Sequence, residues 1–336
     1  MLSQTLASFL GGVALSISIA SPTEWGIHKY LLHAQKRNWL TRIPAQAHDD
    51  IHHGGYKAPA HYYRDITNEH VTIHFSPGDV GLIAAIAAAF GSAVDGAYIL
   101  GSRKSIGIDD AAFVGGVVSG TMLCYGCYEF THHYMHVIGQ RRLSINRILG
   151  DTLQGNEPDG KLRFSKPLLD DICDAIERKV DAYGEKDYPQ IFSFEDSLLK
   201  RLEQQTAYNR RQNSQGEIKP LLIQKDPEEA LAHVTSAMVN QEDNYLHALS
   251  KSKRFKHKIG RRIQKHLRAS RIFQYLDNHH FVHHIRYTHN LNVAFPLMDK
   301  IMGTKLKSSR KVLEEDPRYW LCPNSPDKEL FVVAKA

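Results

Sequence analysis

Three long apolar runs interrupt an otherwise polar chain. Residues 1–23 (MLSQTLASFLGGVALSISIASPT) carry no charge, residues 80–101 (VGLIAAIAAAFGSAVDGAYILG) carry only Asp95, and residues 111–128 (AAFVGGVVSGTMLCYGCY) carry none. A helix rises 1.5 Å per residue, so about 20 residues cross a hydrocarbon core roughly 30 Å thick, and each run reads as a membrane span. All three are rich in Gly, Ala and Ser, which lets helices approach closely in lipid. The first run has no Lys or Arg ahead of it, which argues for a retained anchor over a cleaved signal peptide. Residues 102–110 join the second and third runs, which therefore pair as a hairpin. Asp95 reads equally as polar packing or as a functional group inside a span.

With the hairpin loop on one side, everything else outside the spans lies on the other. That side carries 40 of the 42 Lys and Arg residues, including Lys29, Lys36, Arg37, Arg141 and Arg142 near the span ends. The positive-inside rule places it in the cytoplasm. The pattern divides the chain into residues 1–138 (spans), a polar insertion at 139–272, a short segment at 273–305 and a tail at 306–336. Within the insertion, Ser193-Phe-Glu-Asp-Ser-Leu-Leu-Lys-Arg-Leu reads as a helix start. Asp226 followed by Pro227 reads as a second, with Asp as the cap and Pro in the first turn. Residues 204–220 read as a loop. The fold class expected is all-α: an integral membrane helical protein with a cytoplasmic cap and a large helical insertion.

Charge is as unevenly placed as hydropathy. The formal net charge is +6, yet residues 244–276 hold ten Lys or Arg and no acid; without them 32 basic residues face 36 acidic ones. Phe255, Ile259, Ile263 and Leu267 recur every four residues among those cations. The segment therefore reads as an interfacial helix on anionic lipid headgroups; a solvated helix and an RNA-binding stripe are the alternatives, and nucleic acid is the weaker partner.

Composition excludes disordered, collagen-like and disulfide-scaffold classes, and the mean hydropathy of −0.37 averages over the apolar runs. The four cysteines suggest no disulfide framework, and the Cys124/Cys127 pair sits inside an apolar run where packing explains it. Histidine is the unusual number, at 20 of 336 residues. Four clusters flank the spans: His28 and His33 (HX4H), His48, His52 and His53 (HX3HH), His132 and His136 (HX3H), and His280, His283 and His284 (HX2HH). Spacings of three or four put 48/52, 132/136, 280/283 and 280/284 on shared helix faces. The adjacent pairs 52/53 and 283/284 widen the fan toward a second ion. Ten imidazoles are too many for one structural zinc, which takes four ligands and favours some Cys. Two ions with five imidazoles each keep one open position apiece, which suits histidine-bound iron.

These motifs resemble the fatty acid hydroxylase superfamily of membrane di-iron oxygenases, which includes sterol desaturases. Glu24-Trp-Gly-Ile-His28-Lys-Tyr-Leu-Leu-His33 is similar to its first box and Tyr128-Glu-Phe-Thr-His132-His-Tyr-Met-His136 to its third. Asn292-Val-Ala-Phe-Pro296-Leu-Met-Asp299-Lys-Ile-Met-Gly303-Thr304 resembles the closing signature. The second box has one spacer residue more than fatty acid 2-hydroxylases usually have, and about 143 residues separate the third and fourth boxes where the family has a short connection. The resemblance implies two iron ions (zinc in some isolated forms) held by the ten histidines. It implies O₂-dependent hydroxylation or desaturation of a fatty acyl chain or sterol. No His-Pro-Gly-Gly haem motif is present, so electrons are expected from a separate cytochrome b5 or ferredoxin with its reductase. Glu24, Asn292 and Asp299 are candidates for orienting imidazole N–H groups. The rival reading is a non-catalytic metal-binding membrane protein.

Overall fold

The computed structural model describes residues 2–39, 41–54, 56, 62, 77–102, 107–154, 162–183, 193–214, 226–307 and 320–321. The regular elements among the described residues are helices apart from one short antiparallel pairing of β1 (Leu162–Arg163) with β2 (Trp320–Leu321). The chain divides into two compact units, one of residues 1–137 and 267–314 and one of residues 138–266 and 315–336.

In the first unit, α1 (Leu2–Ile27), α3 (Pro77–Ser102) and α4 (Ile108–Val137) contain the three apolar runs. They belong to three stretches long and apolar enough to cross a membrane: Ser3–Leu32, Val80–Ser102 and Ile108–Leu153. The apolar side chains face outward, with Leu82 and Ile86 each 60% exposed and Leu100 83% exposed. Such an exterior suits lipid and not water. Four of the residues expected to link α3 and α4, 103–106, lie outside the described residues.

α1 and α4 run parallel along a seam of small residues. Thr5 Oγ1 donates to Asp109 Oδ1 (2.7 Å) near the start of both helices, and Ser16 Oγ donates to the Val117 carbonyl (2.8 Å) further along. Between these contacts the backbones nearly touch. A Cβ on Gly12 would strike the Phe113 carbonyl, and one on Gly116 would strike the Phe9 carbonyl. Without a hydrophobic force between helices in lipid, such close van der Waals packing holds them together. Parallel register has a consequence for chemistry: the chain leaves α1 at His28 and approaches the end of α4 at His132, and both histidines lie at the same end of the pair. The third apolar run, expected at 111–128, continues unbroken as helix to Val137 and carries His132 and His136 in its last turns.

The second unit is a helical bundle of α5 (Gln140–Gln154), α6 (Lys166–Tyr183), α7 (Asp196–Ser214) and α8 (Pro227–Ala248), followed by α9 (Lys251–Ala269), which continues into the first unit. Leu168, Leu169, Ile172, Ile176 and Val180 recur at helical spacing on α6 and meet Ile145, Leu149, Leu202, Leu231 and Val234 in one apolar core. Asp226 accepts from the Glu228 N–H (2.8 Å) with Pro227 in the first turn, the cap expected from sequence. The loop expected at 204–220 is corrected. α7 continues helical through Ser214, because Leu198, Leu202 and Thr206 keep a buried stripe at four-residue spacing; residues 215–220 lie outside the described residues.

If the α1–α4 seam sets the fold, Gly116→Ala should destabilise the protein by about 1–3 kcal/mol through overpacking against backbone. Gly115→Ala meets nothing within 4 Å and should be neutral or slightly stabilising. Thermal unfolding of the two variants in detergent checks the contrast.

Candidate metal centre

Two of the four clusters lie on widened helical turns. After α1 the chain continues as a π-helical turn, His28–Leu32, and the His33 N–H donates to the His28 carbonyl five residues back (2.9 Å). After α2 (Arg42–Ala45) a second π-helical stretch runs Gln46–His53. A π turn aligns residues five apart, whereas an α-helix would separate them by about 140°. His28 with His33, and His48 with His53, therefore present their rings together. The remaining clusters sit on ordinary α-helix: His132 and His136 on α4, and His280, His283 and His284 on α10 (Arg271–Ile285).

The ten imidazoles form two groups of five: His28, His33, His48, His53 and His283 in one, His52, His132, His136, His280 and His284 in the other. Within each group every candidate donor atom lies within 4.8 Å of every other. The groups are neighbours, with the rings of His53 and His284 centred 4.3 Å apart. The adjacent pairs 52/53 and 283/284 divide between the groups. The pairs 48/52 and 280/283 do share a face, their rings stacked at 5.2 and 5.8 Å, yet each pair also divides between the two groups. His48 is grouped with His53, five residues on along the π-helical stretch, and His283 with His28, His33, His48 and His53.

Hydrogen bonds at the outer ring nitrogens fix where the lone pairs point. Carbonyls and carboxylates only accept, so the ring nitrogen facing one must carry the proton. His33 Nδ1 donates to Asp49 (2.6 Å), His136 Nδ1 to the Tyr62 carbonyl (2.8 Å), His283 Nδ1 to the His289 carbonyl (2.8 Å) and His284 Nδ1 to the Tyr56 carbonyl (3.0 Å). In a neutral imidazole the other nitrogen, Nε2, is then a bare lone pair. Those Nε2 atoms converge: His33 on His283 at 3.1 Å, His136 on His280 at 3.1 Å and His284 on His280 at 3.0 Å. Two lone pairs aimed at each other across 3.1 Å, as at His33 and His283, repel unless a cation lies between them. The spacing is informative as well. For nitrogens about 2.1 Å from an ion, adjacent donors of an octahedron are about 3.0 Å apart and those of a tetrahedron about 3.4 Å. The close contacts in both groups, including His28–His48, His48–His53 and His52–His132, fall at 3.0–3.1 Å. The donor set therefore fits two ions of six-coordinate character, each with five imidazoles.

Burial reinforces neutrality. Desolvation pushes His48, His52, His53, His280 and His284 well below the usual imidazole range, with neighbouring imidazoles adding to the effect, and brings His283 down to about 3. The neutral form is the one that ligates metal. His33 and His132 are the least buried of the ten.

The roles expected of Glu24, Asn292 and Asp299 are corrected. None makes a hydrogen bond to any of the ten imidazoles among the described residues. Glu24 instead accepts from the N–H groups of Val293, Ala294 and Phe295 (2.6, 2.8 and 3.0 Å) and from Asn292 Nδ2 (3.2 Å). Asp299, fully buried, accepts from the N–H groups of Leu291 and Asn292, from Thr304 Oγ1 and from His279 Nε2. Burial would raise its pKa, but the hydrogen bonds from His279 and Thr304 outweigh this and hold it below the usual carboxylate range. Trp25 Nε1 donates to Thr304 (2.9 Å), and Gly303 takes φ +70°, which favours glycine. The segment from Asn292 to Thr304 is thus a clamp that fastens the end of α10 to α1. It holds His279 directly and makes no hydrogen bond to the ten grouped imidazoles among the described residues. The groups that do orient imidazoles are Asp49 and the carbonyls of Tyr56, Tyr62 and His289. Of these only Asp49, beside His48 in sequence, carried a side-chain signal.

No protein-family model, curated protein or solved structure matches the chain.

His132→Ala and His280→Ala should each lower bound metal, because each removes a converging donor. Asp49→Asn should weaken metal binding by about 10–100-fold. His133 is exposed and outside both groups, so His133→Ala should keep the full metal content. His279→Ala should cost about 1–3 kcal/mol of stability through the unpaired Asp299, without removing metal from the folded fraction. Elemental analysis of the folded protein separates these outcomes, and metal loss in His133→Ala with retention in His132→Ala would reverse the assignment.

Proposed function

We propose that this chain is a membrane-bound di-iron oxygenase that hydroxylates or desaturates a lipid, a fatty acyl chain or a sterol. The observation that carries the reading is the pair of neighbouring five-imidazole groups built at the ends of apolar helices. All-imidazole donor sets without Cys suit iron better than structural zinc, and five donors leave one of six positions open in each group. Two bound irons would supply the activation of O₂ needed to oxidise an unactivated C–H bond. The resemblance of the histidine boxes and the 292–304 signature to fatty acid hydroxylases and sterol desaturases supports the same class.

The chain's own residues do the rest. His28, His33, His48, His53 and His283 hold one ion, and His52, His132, His136, His280 and His284 the other. Asp49 and the carbonyls of Tyr56, Tyr62 and His289 keep four of these rings turned so that Nε2 faces inward. The ring of Tyr62, fully buried, packs against His136 and His284 and helps keep water from that group. The parallel seam of α1 and α4 holds His28 and His132 at one end of the apolar helices, where a lipid substrate need not leave the membrane. The positive-inside rule puts the site on the cytoplasmic face, where a reductase with cytochrome b5 or ferredoxin can deliver electrons. Hydroxylation balances as one O₂, two electrons and two protons per C–H bond, giving one alcohol and one water.

Full-length protein loaded with ferrous iron in lipid nanodiscs should oxidise lipid only with both O₂ and an external donor. Mass spectrometry should then find products heavier by one oxygen atom or lighter by two hydrogens, and ¹⁸O₂ should label the former. Tightly bound zinc with no oxidised product under any donor would favour the non-catalytic metal-binding reading instead.

A further inference from the structure

Helix α9 is packed the wrong way round for a water-soluble helix. Phe255, Ile259, Ile263 and Leu267 form one stripe, and His257 and Arg261 lie on the opposite side of the same helix. It is the polar side that meets the bundle. His257 Nε2 and Arg261 Nη2 bond the two carboxylate oxygens of Glu242 on α8 (2.9 and 2.8 Å), and Arg141 approaches the same carboxylate at 3.0 Å. Burial alone would raise the Glu242 pKa, but these three partners hold it far below the usual range, so the anchor stays charged. No residue of α9 is buried, and its apolar stripe begins with Phe255 67% exposed and Ile259 42% exposed.

We propose that this stripe lies in the headgroup region of a membrane containing anionic lipid. Three observations select that occupant. The stripe is flanked by Lys256, Lys258 and Arg262, and no acidic residue occurs between 244 and 276. The same chain carries three helices able to cross a membrane, so a bilayer is always at hand. The packing contact uses the helix's opposite side and leaves Phe255, Ile259 and the flanking cations exposed to meet lipid, with Ile263 and Leu267 half-buried. A basic amphipathic helix with an outward apolar stripe buries that stripe at the acyl boundary while its cations meet lipid phosphate. α9 ends two residues before α10 begins, so the lipid contact adjoins the helix that carries His280, His283 and His284 in sequence.

The test uses the full chain in nanodiscs and a Phe255→Trp substitution, read as quenching by brominated lipid above the parent protein's signal. Quenching is expected in phosphatidylserine-containing discs. Changing Lys253, Lys256, Lys258, Arg262 and Lys265 to Gln should cut the phosphatidylserine-dependent part at least about fivefold, since each cation near an anionic surface is worth about that factor. These five make no side-chain hydrogen bond or ion pair among the described residues, and Arg261 is left in place to keep the Glu242 anchor. Quenching that is absent overturns the proposal, as does quenching that is indifferent to phosphatidylserine or to the five substitutions. RNA binding or self-association that protects the stripe in place of lipid also overturns it. The readout needs no metal and no turnover, so it is independent of the proposed activity.

Discussion

Buried imidazole lone pairs that face one another govern this structure. Each imidazole has one proton to give, and where an outer carbonyl or carboxylate takes it, the inner nitrogen has nothing to donate. His33 and His283 meet in that condition, and His136 and His284 meet His280. At His280, His283 and His284 burial opposes the alternative of protonating the rings, because desolvation disfavours the charged form. At His33 and His283, where both tautomers are set by outer acceptors, two neutral rings present acceptor to acceptor, an arrangement a cation would stabilise. Ions held by these groups would bind only the folded arrangement, so metal binding would stabilise this end of the molecule.

The scaffold reads as a means of building that arrangement from four separated pieces of chain. Parallel packing of α1 and α4 brings His28 and His132 to one end, and the glycine seam fixes the level. The π turns bring residues five apart into line. The 292–304 clamp uses Glu24, Asn292 and Asp299 to tie the last helix back to the first. Its charges are spent on backbone N–H groups, which explains why carboxylates so close in sequence to the histidine boxes do not touch the ligand rings. Close packing of this kind holds donors to the tolerance that coordination demands.

Much of this was legible in the sequence. The apolar runs, the Asp226-Pro227 helix start and the ten histidines follow from hydropathy and spacing. What the sequence did not reveal has physical reasons. Helical spacing shows which rings share a face, as those of His48 and His52 do, but not which group a ring joins: His48 is grouped with His53. Backbone carbonyls have no sequence signature, so the partners supplied by Tyr56, Tyr62 and His289 were invisible. Asp299 does accept from an imidazole N–H, that of His279, which lies outside both groups; adjacency along the chain does not show which of His279 and His280 turns toward it. The α7 extension past residue 204 was hidden by polar residues on its exposed face.

The central claim is that two ions occupy two five-imidazole groups. The most direct measurement is the metal content of the purified full-length chain after anaerobic loading with ferrous iron, taken together with its thermal unfolding. The account predicts about two irons per chain, and unfolding that moves to higher temperature with metal, as expected for ions that bind only the folded state. Binding of less than one ion per folded chain, or binding that leaves the unfolding temperature unchanged, would contradict it.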